Sequence, residues 1–286
     1  MIGIVCDSGT DTPVEIVKKH AIEVVPLKVI LGQEEFRDAD PGVREKTLAY
    51  MEHDIPKTSL PGFEEVWDAF QRLKDRGCGE IIAINISSQL SGTHNFFKMV
   101  AEKFLKENPQ MQLEVVNTLN ISVGAGFYVM EAARLAESGQ SFATVVADLK
   151  AMIPSKSSVW FVIPTLKYLK AGGRIGKVSA TIGEILNLKP VIAVGDDGIY
   201  YTAGKARGIK NAVEKLLEKF DQAFSAKKVE MAAVYRADDN PQTLDLVQRV
   251  MENLKKRGVT KIFQGLISSS LFVHVGPGLV GLGALG

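Results

Sequence analysis

The sequence predicts a two-domain α/β protein. Residues 1–154 read as a doubly wound, mostly parallel sheet, and residues 155–286 as an α+β domain with a mixed sheet. Three observations carry this. Short apolar runs (Ile2-Gly3-Ile4-Val5-Cys6, Ile81-Ile82-Ala83-Ile84, Leu113-Glu114-Val115-Val116) alternate with helical segments through the first half. After Pro154 a hairpin signal, Asp196-Asp197-Gly198, falls between two apolar runs. The length of 286 residues suits two medium domains.

Taken in order, the first strand is Ile2 to Cys6, ending in the polar turn Asp7-Ser8-Gly9-Thr10-Asp11-Thr12. Thr12 with Glu15 forms a capping-box pattern around Pro13, which opens a helix stopping near His20. Glu23 to Leu31 is extended, and Gly32-Gln33 begins a return through Glu35 to Asp38. A helix runs through Lys46 to Met51. Pro56 to Gly62 is a non-helical loop, and Gly62 caps a helix from Phe63 to Arg76 with Val66, Phe70 and Leu73 on one face. The Ile81 strand leads into Asn85-Ile86-Ser87-Ser88-Gln89-Leu90-Ser91-Gly92-Thr93-His94 and then a helix over Phe96 to Phe104. The Leu113 strand is followed by helices Ser122–Ser138, rich in small residues, and Phe142–Met152. In the second half, strands are expected at Ser158–Ile163, Pro190–Val194, Ile199–Ala203, Val229–Tyr235, Lys261–Leu266 and Phe272–Val275. Helices are expected at Leu166–Lys170 (stopped by Gly172-Gly173), Val178–Leu186, Gly208–Ala223 and Gln242–Arg257.

Bulk properties exclude several function classes. The net charge of +1 gives no electrostatic case for nucleic acid or an anionic membrane surface. No apolar run reaches the roughly 18 residues of a membrane span. The apolar N-terminus lacks a basic segment and reads as a strand rather than a signal peptide. Two cysteines, Cys6 and Cys78, fit free thiols in a reducing cytoplasm. Histidines at 20, 53, 94 and 274 show no metal-ligand spacing, so no metal or cofactor is expected.

The chemistry-bearing stretches are polar loops. The Ser87–His94 turn sits where a strand ends and a helix begins, the place where open α/β sheets bind ligands and where a helix N-terminus favours an anion. Thr58-Ser59, Gly172-Gly173-Arg174 and His274-Val275-Gly276-Pro277-Gly278 are the others. Ser91 with His274 permits a serine esterase or thioesterase, although Gln89 stands where a nucleophile elbow has glycine. Asp7, Asp11 and Arg174 permit a magnesium-dependent phosphotransferase, although no phosphate loop accompanies them. Ser91 as a helix cap, Arg174 in a surface ion pair and Asp7-Ser8 as a hydrogen-bonded turn are the plain structural alternatives.

Six motifs in order resemble the DegV family of bacterial fatty-acid-binding proteins along essentially the whole chain. They are Asp7-Ser8-x-x-Asp11, Lys57-Thr58-Ser59-x-Pro61, Ser87-Ser88-x-Leu90-Ser91-Gly92-Thr93, Thr165-Leu166-x-Tyr168-Leu169-x-x-Gly172-Gly173-Arg174-Ile175, Leu188-Lys189-Pro190 and His274-x-Gly276-Pro277-Gly278-x-x-Gly281. The resemblance implies a lipid carrier, not an enzyme, that holds one long-chain, palmitate-like fatty acid in an apolar tunnel, its carboxylate between the domains. It implies a separate fatty-acid kinase as a partner for some members. Carried over, the carboxylate contacts are Thr58 or Ser59 together with Ser91, and Gly92, Thr93, Arg174 and His274 form the surrounding polar network. The chain departs from the family pattern at Gly62, His94-Asn95 and Pro164.

Overall fold

The computed structural model describes residues 1–181 and 187–286. In chain order the first half contains β1 (Ile2–Asp7), α1 (Val14–Lys19), β2 (Glu23–Val25), β3 (Lys28–Leu31), β4 (Glu34–Arg37), α2 (Val43–Tyr50) and β5 (Lys57–Ser59). It continues with α3 (Phe63–Asp75), β6 (Glu80–Asn85), α4 (Thr93–Glu107), β7 (Gln112–Asn117), α5 (Ser122–Glu137) and α6 (Phe142–Met152). Four of these strands form an all-parallel sheet in the order β2-β1-β6-β7. The strand order reverses between β1 and β6, so the loops after Asp7 and Asn85 flank the switch point where such sheets bind ligands. Helices cover both faces: α3 and α4 on one, α5 and α6 on the other. Buried Val66, Phe70 and Leu73 give α3 its apolar stripe, and Glu65 accepts from the Gly62 N–H at 2.7 Å to hold its first turn.

The second half contains β8 (Ser157–Val162), α7 (Lys167–Ala171), β9 (Leu188–Val194), β10 (Tyr200–Arg207), α8 (Ile209–Ala223) and β11 (Met231–Arg236). Then come α9 (Pro241–Lys256), β12 (Ile262–Leu266), α10 (Ser269–Val275) and β13 (Val280–Leu285). Its sheet runs β10-β9-β8-β13-β11-β12, antiparallel except for β11 with β12. The apolar faces of α8 and α9 cover one side. The other side packs on α5, which is buried almost throughout because it lies between the two sheets: Tyr128, Val129 and Ala132 face the parallel one, Val123 and Phe127 the mixed one. A small antiparallel sheet, β4-β3-β5, carries Thr58 opposite Val29. No helix among the described residues is long and apolar enough to cross a membrane.

The structure corrects the sequence reading in several places. Phe272–Val275 is not a strand but the end of α10; Ser268 to Ser270 open that helix and Gly276, at φ +70°, closes it. The strand instead is β13, whose Gly281 and Gly283 hid it from a search for β-branched runs. Gly283 is there because a side chain would meet Val123 Cγ1 at 2.6 Å, where α5 lies on the sheet. Thr12 and Glu15 form no capping box; Pro13 is the cap residue of α1, and Thr12 Oγ1 pairs with Thr10 Oγ1 at 2.9 Å. The stretch 23–31 breaks at Pro26 into β2 and β3, which join different sheets. The loop at 56–62 contains the short strand β5. Of the helix expected over Val178–Leu186, Gly176–Thr181 is 3-10, and 182–186 lie outside the described residues. The small residues of α5 serve packing: the space beside Gly124 is filled by the Asn120 side chain and that beside Gly126 by the Thr10 carbonyl oxygen.

Candidate functional site

A cavity of about 300 Å³ opens between the loops at the switch point and the inner face of the mixed sheet, the face that packs on α5. Its walls come from both sides of residue 154. Most of the lining is apolar, including Ile86, Ile121, Val123, Val159, Phe161 and Leu279. The polar residues predicted from sequence gather on it: Thr58, Ser59, Ser91, Gly92, Arg174 and His274 all line this one cavity. Thr93 does not. It is fully buried behind Ser91, and the two hydroxyls share a hydrogen bond of 2.7 Å. His94 is buried in α4, also outside the cavity.

Each of these side chains is held by a different element. Thr58 projects from β5, and its Oγ1 lies 2.8 Å from His274 Nε2 on α10, across 216 positions of sequence. Ser59 makes only a local bond, donating to the Leu60 carbonyl at 3.2 Å. Ser91 Oγ accepts from the Thr93 N–H at 3.2 Å, so it also tidies the first turn of α4. Arg174 follows α7 and donates from Nε to the Leu90 carbonyl (3.2 Å) and from Nη1 to the Gly172 carbonyl (2.6 Å). The guanidinium thereby ties the loop after α7 to the loop before α4 and brings a permanent positive charge to the cavity wall.

Burial, with the neighbouring Arg174 charge as the lesser cause, pushes the His274 imidazole down to about 4. At neutral pH the ring is therefore uncharged, with one donor and one acceptor nitrogen. Its Nδ1 is buried and has no partner among the described residues. The ring fits against Gly172: a Cβ there would stand 2.4 Å from His274 Nδ1. Gly172→Ala is therefore expected to push the ring away from Thr58 and to weaken ligand binding about tenfold, since overpacking costs about 1–3 kcal/mol. Calorimetry on the variant checks this, and unchanged affinity counts against the role given to the Thr58–His274 pair.

The remaining candidates sort differently. Ser91 bonds Thr93, and His274 bonds Thr58, so the nucleophile-to-base hydrogen bond of a serine hydrolase is replaced by two other pairings. Asp7 and Asp11 do not line the cavity. Asp7 is fully buried and accepts from Gly9 N, Asn85 Nδ2 and Ile86 N at 3.0–3.1 Å, which staples the end of β1 to the end of β6. Asp11 accepts from Ser122 Oγ and, at 2.7 Å, from Ser268 N, joining the two halves of the chain. Burial raises both carboxyls, to about 6 and about 7. Both carboxylates thus accept from protein donors and serve as hydrogen-bonded joints, Asp7 within the strand-end turn and Asp11 between the two halves. Sequence reasoning missed Ser122, Ser270, Tyr200 and Tyr235 on the wall. Alternation along a strand says that one of Tyr200 and Tyr201 faces inward, but not which one.

Comparisons with known proteins establish the family and the fold. A family model described as "Uncharacterised protein, DegV family COG1307" matches residues 1–286. Among curated proteins, a DegV domain-containing protein of Clostridium acetobutylicum is 31% identical, with 98% of this chain and 97% of that protein covered. Among solved structures, a DegV family protein from Thermus thermophilus, described by its fatty acid binding, superposes with a TM-score of 0.87 at 30% identity, covering 100% of this chain and 99% of that one. A stearic-acid-binding protein from Eubacterium ventriosum gives 0.83 at 27% identity, covering 100% and 98%. The Streptococcus pneumoniae Fatty Acid Kinase B3 protein loaded with linoleic acid gives 0.84 at 21% identity, covering 100% and 99%, a likeness of fold.

Proposed function

The chain belongs to the DegV family, and we infer that it binds one long-chain, palmitate-like fatty acid in the cavity between its two sheets, as a carrier and not as an enzyme. The observation that carries this is the cavity itself: an apolar interior with hydroxyls, an arginine and a neutral histidine gathered on its wall. On this reading Thr58 and Ser91 donate to the carboxylate, and Ser59, bonded to its neighbour's carbonyl, is secondary. If Thr58 gives its proton to the carboxylate, its oxygen accepts from His274 Nε2, which sets the tautomer of the ring. Arg174 keeps Nη2 for the ligand or for the water around it, and Gly92 and Thr93 position Ser91. The tail supplies most of the affinity: each buried CH₂ contributes about 0.8 kcal/mol, so a palmitoyl tail gains roughly 10 kcal/mol before entropic losses.

Two lobes meeting near residue 155 and enclosing the ligand are part of the same proposal. So are a cytoplasmic setting, a chemistry that needs no metal or organic cofactor, and presentation of the fatty acid to a separate kinase. A serine hydrolase remains the second reading only through the residue types of Ser91 and His274, whose pairings oppose it.

Affinity measured along a series of saturated acids tests the tail. Shortening palmitate to decanoate removes six CH₂ groups, roughly 5 kcal/mol of gross burial, so binding is expected to fall by more than about 100-fold. Equal affinity for the two acids contradicts burial of the tail.

A further inference from the structure

One polar group on the cavity wall is left over by the carboxylate site. Among the described residues seven hydroxyls line the cavity, and six of them have a protein partner. The seventh, Tyr200, makes no side-chain hydrogen bond among the described residues, although its side chain is buried (6% exposed). The residue is buried but the hydroxyl itself opens onto the cavity, so it is free to donate to whatever fills that space. A saturated acyl chain brings no acceptor.

Tyr200 is also firmly placed. Its ring packs edge-on against Phe161 at 5.3 Å, and its backbone lies under Gly176, where a Cβ would stand 2.8 Å from the Tyr200 carbonyl oxygen. Burial raises the phenol; Arg174 opposes that rise and Asp11 reinforces it, which puts the hydroxyl within the electrostatic reach of both. Arg174 stands with the carboxylate residues, whereas Asp11 lies behind the wall formed by Ser122 and Tyr235. On that wall the protons are already used. Ser122 Oγ donates to Asp11 Oδ2, and Tyr235 OH donates to the Asp11 carbonyl at 2.9 Å. Both oxygens have only lone pairs to offer the cavity. The wall therefore combines one free donor with two acceptors.

We propose that Tyr200 and Ser122 form a second polar station on the acyl path that reads a hydroxyl group on the chain, so that the protein accepts hydroxy fatty acids as well as unsubstituted ones. A chain hydroxyl accepts from Tyr200 and donates to the Ser122 oxygen, with Tyr235 as the neighbouring acceptor. A keto group satisfies only the donor, and a plain chain satisfies neither. The proposal rests on the fatty-acid reading above and deepens it.

The test is calorimetry on the full chain, stripped of lipid, with palmitic acid and a set of its positional hydroxy and keto isomers. The wild type is expected to bind at least one hydroxy isomer as tightly as palmitate, and more tightly than the matching keto acid. Tyr200→Phe removes only the hydroxyl. It is expected to weaken that isomer by about fivefold to tenfold, the worth of one hydrogen bond, and to leave palmitate within about twofold. Ser122→Ala serves as a second variant and is expected to lower the preference for hydroxy over keto. The proposal is overturned if every hydroxy isomer binds the wild type at least tenfold more weakly than palmitate. It is also overturned if Tyr200→Phe leaves the hydroxy acid unaffected, or weakens palmitate equally, which would assign the phenol to the carboxylate. A wild type that binds no palmitate overturns the fatty-acid reading itself, and this inference with it.

Discussion

Replacing Asp7 by Ala is expected to cost about 3–5 kcal/mol of stability, a large part of the roughly 5–15 kcal/mol that holds a domain together. The carboxylate is completely buried and satisfies three donors: the backbone N–H groups of Gly9 and Ile86 and the side-chain amide of Asn85. Alanine leaves all three buried without an acceptor, and each orphaned donor costs about 1–3 kcal/mol. These bonds join the carboxyl ends of β1 and β6, the two strands that frame the switch point, so the loss falls where the Ser91 turn begins. Asp7→Asn keeps the volume and one acceptor oxygen and should cost about half as much. Urea unfolding with an unchanged slope measures the difference; a cost below about 1 kcal/mol for the alanine variant contradicts the staple.

The second large effect concerns binding. The double variant Thr58→Ala, Ser91→Ala is expected to weaken palmitate by at least about 100-fold, because hydrogen bonds to a charged group contribute about 1.5–3 kcal/mol each. Loss of Thr58 also leaves His274 Nε2 without its 2.8 Å partner on the half-buried cavity wall. Thr58 joins the two halves of the chain through its bond to His274, so the unfolding midpoint should fall by the worth of about one hydrogen bond, about 1 kcal/mol, with the chain still folded. Unchanged affinity in a folded double variant places the carboxylate elsewhere on the cavity wall. Ser59→Ala separates the two hydroxyls of β5: its loss should matter far less than that of Thr58, because Ser59 donates to its own neighbour's carbonyl.

Much of the architecture could be read from the chain because the signals were local. Apolar runs ending at Asp7 and Asn85 announced parallel strands, and Asp196-Asp197-Gly198 announced the antiparallel pair β9 and β10, with Gly198 at φ +77°. What escaped depends on packing. β13 carries Gly283 because α5 presses on it there, and a stretch with two glycines carries little strand propensity. The apolar Phe272-Val273 pair reads as a strand in isolation, yet α10 buries it from a helix opened by serines. The site shows the same division. Thr58, Ser91, Arg174 and His274 were each visible as polar punctuation, whereas the Thr58–His274 bond spans 216 positions and no spacing rule reaches it. Gly172 looked like a helix stop; its tighter constraint is the His274 ring lying where a side chain would be.

The most direct measurement of the central claim is extraction of the purified protein after denaturation, followed by mass spectrometry of the lipid fraction. The account predicts close to one long-chain fatty acid per chain. A protein that yields none, and that also takes up neither palmitate nor oleate when they are added, contradicts it.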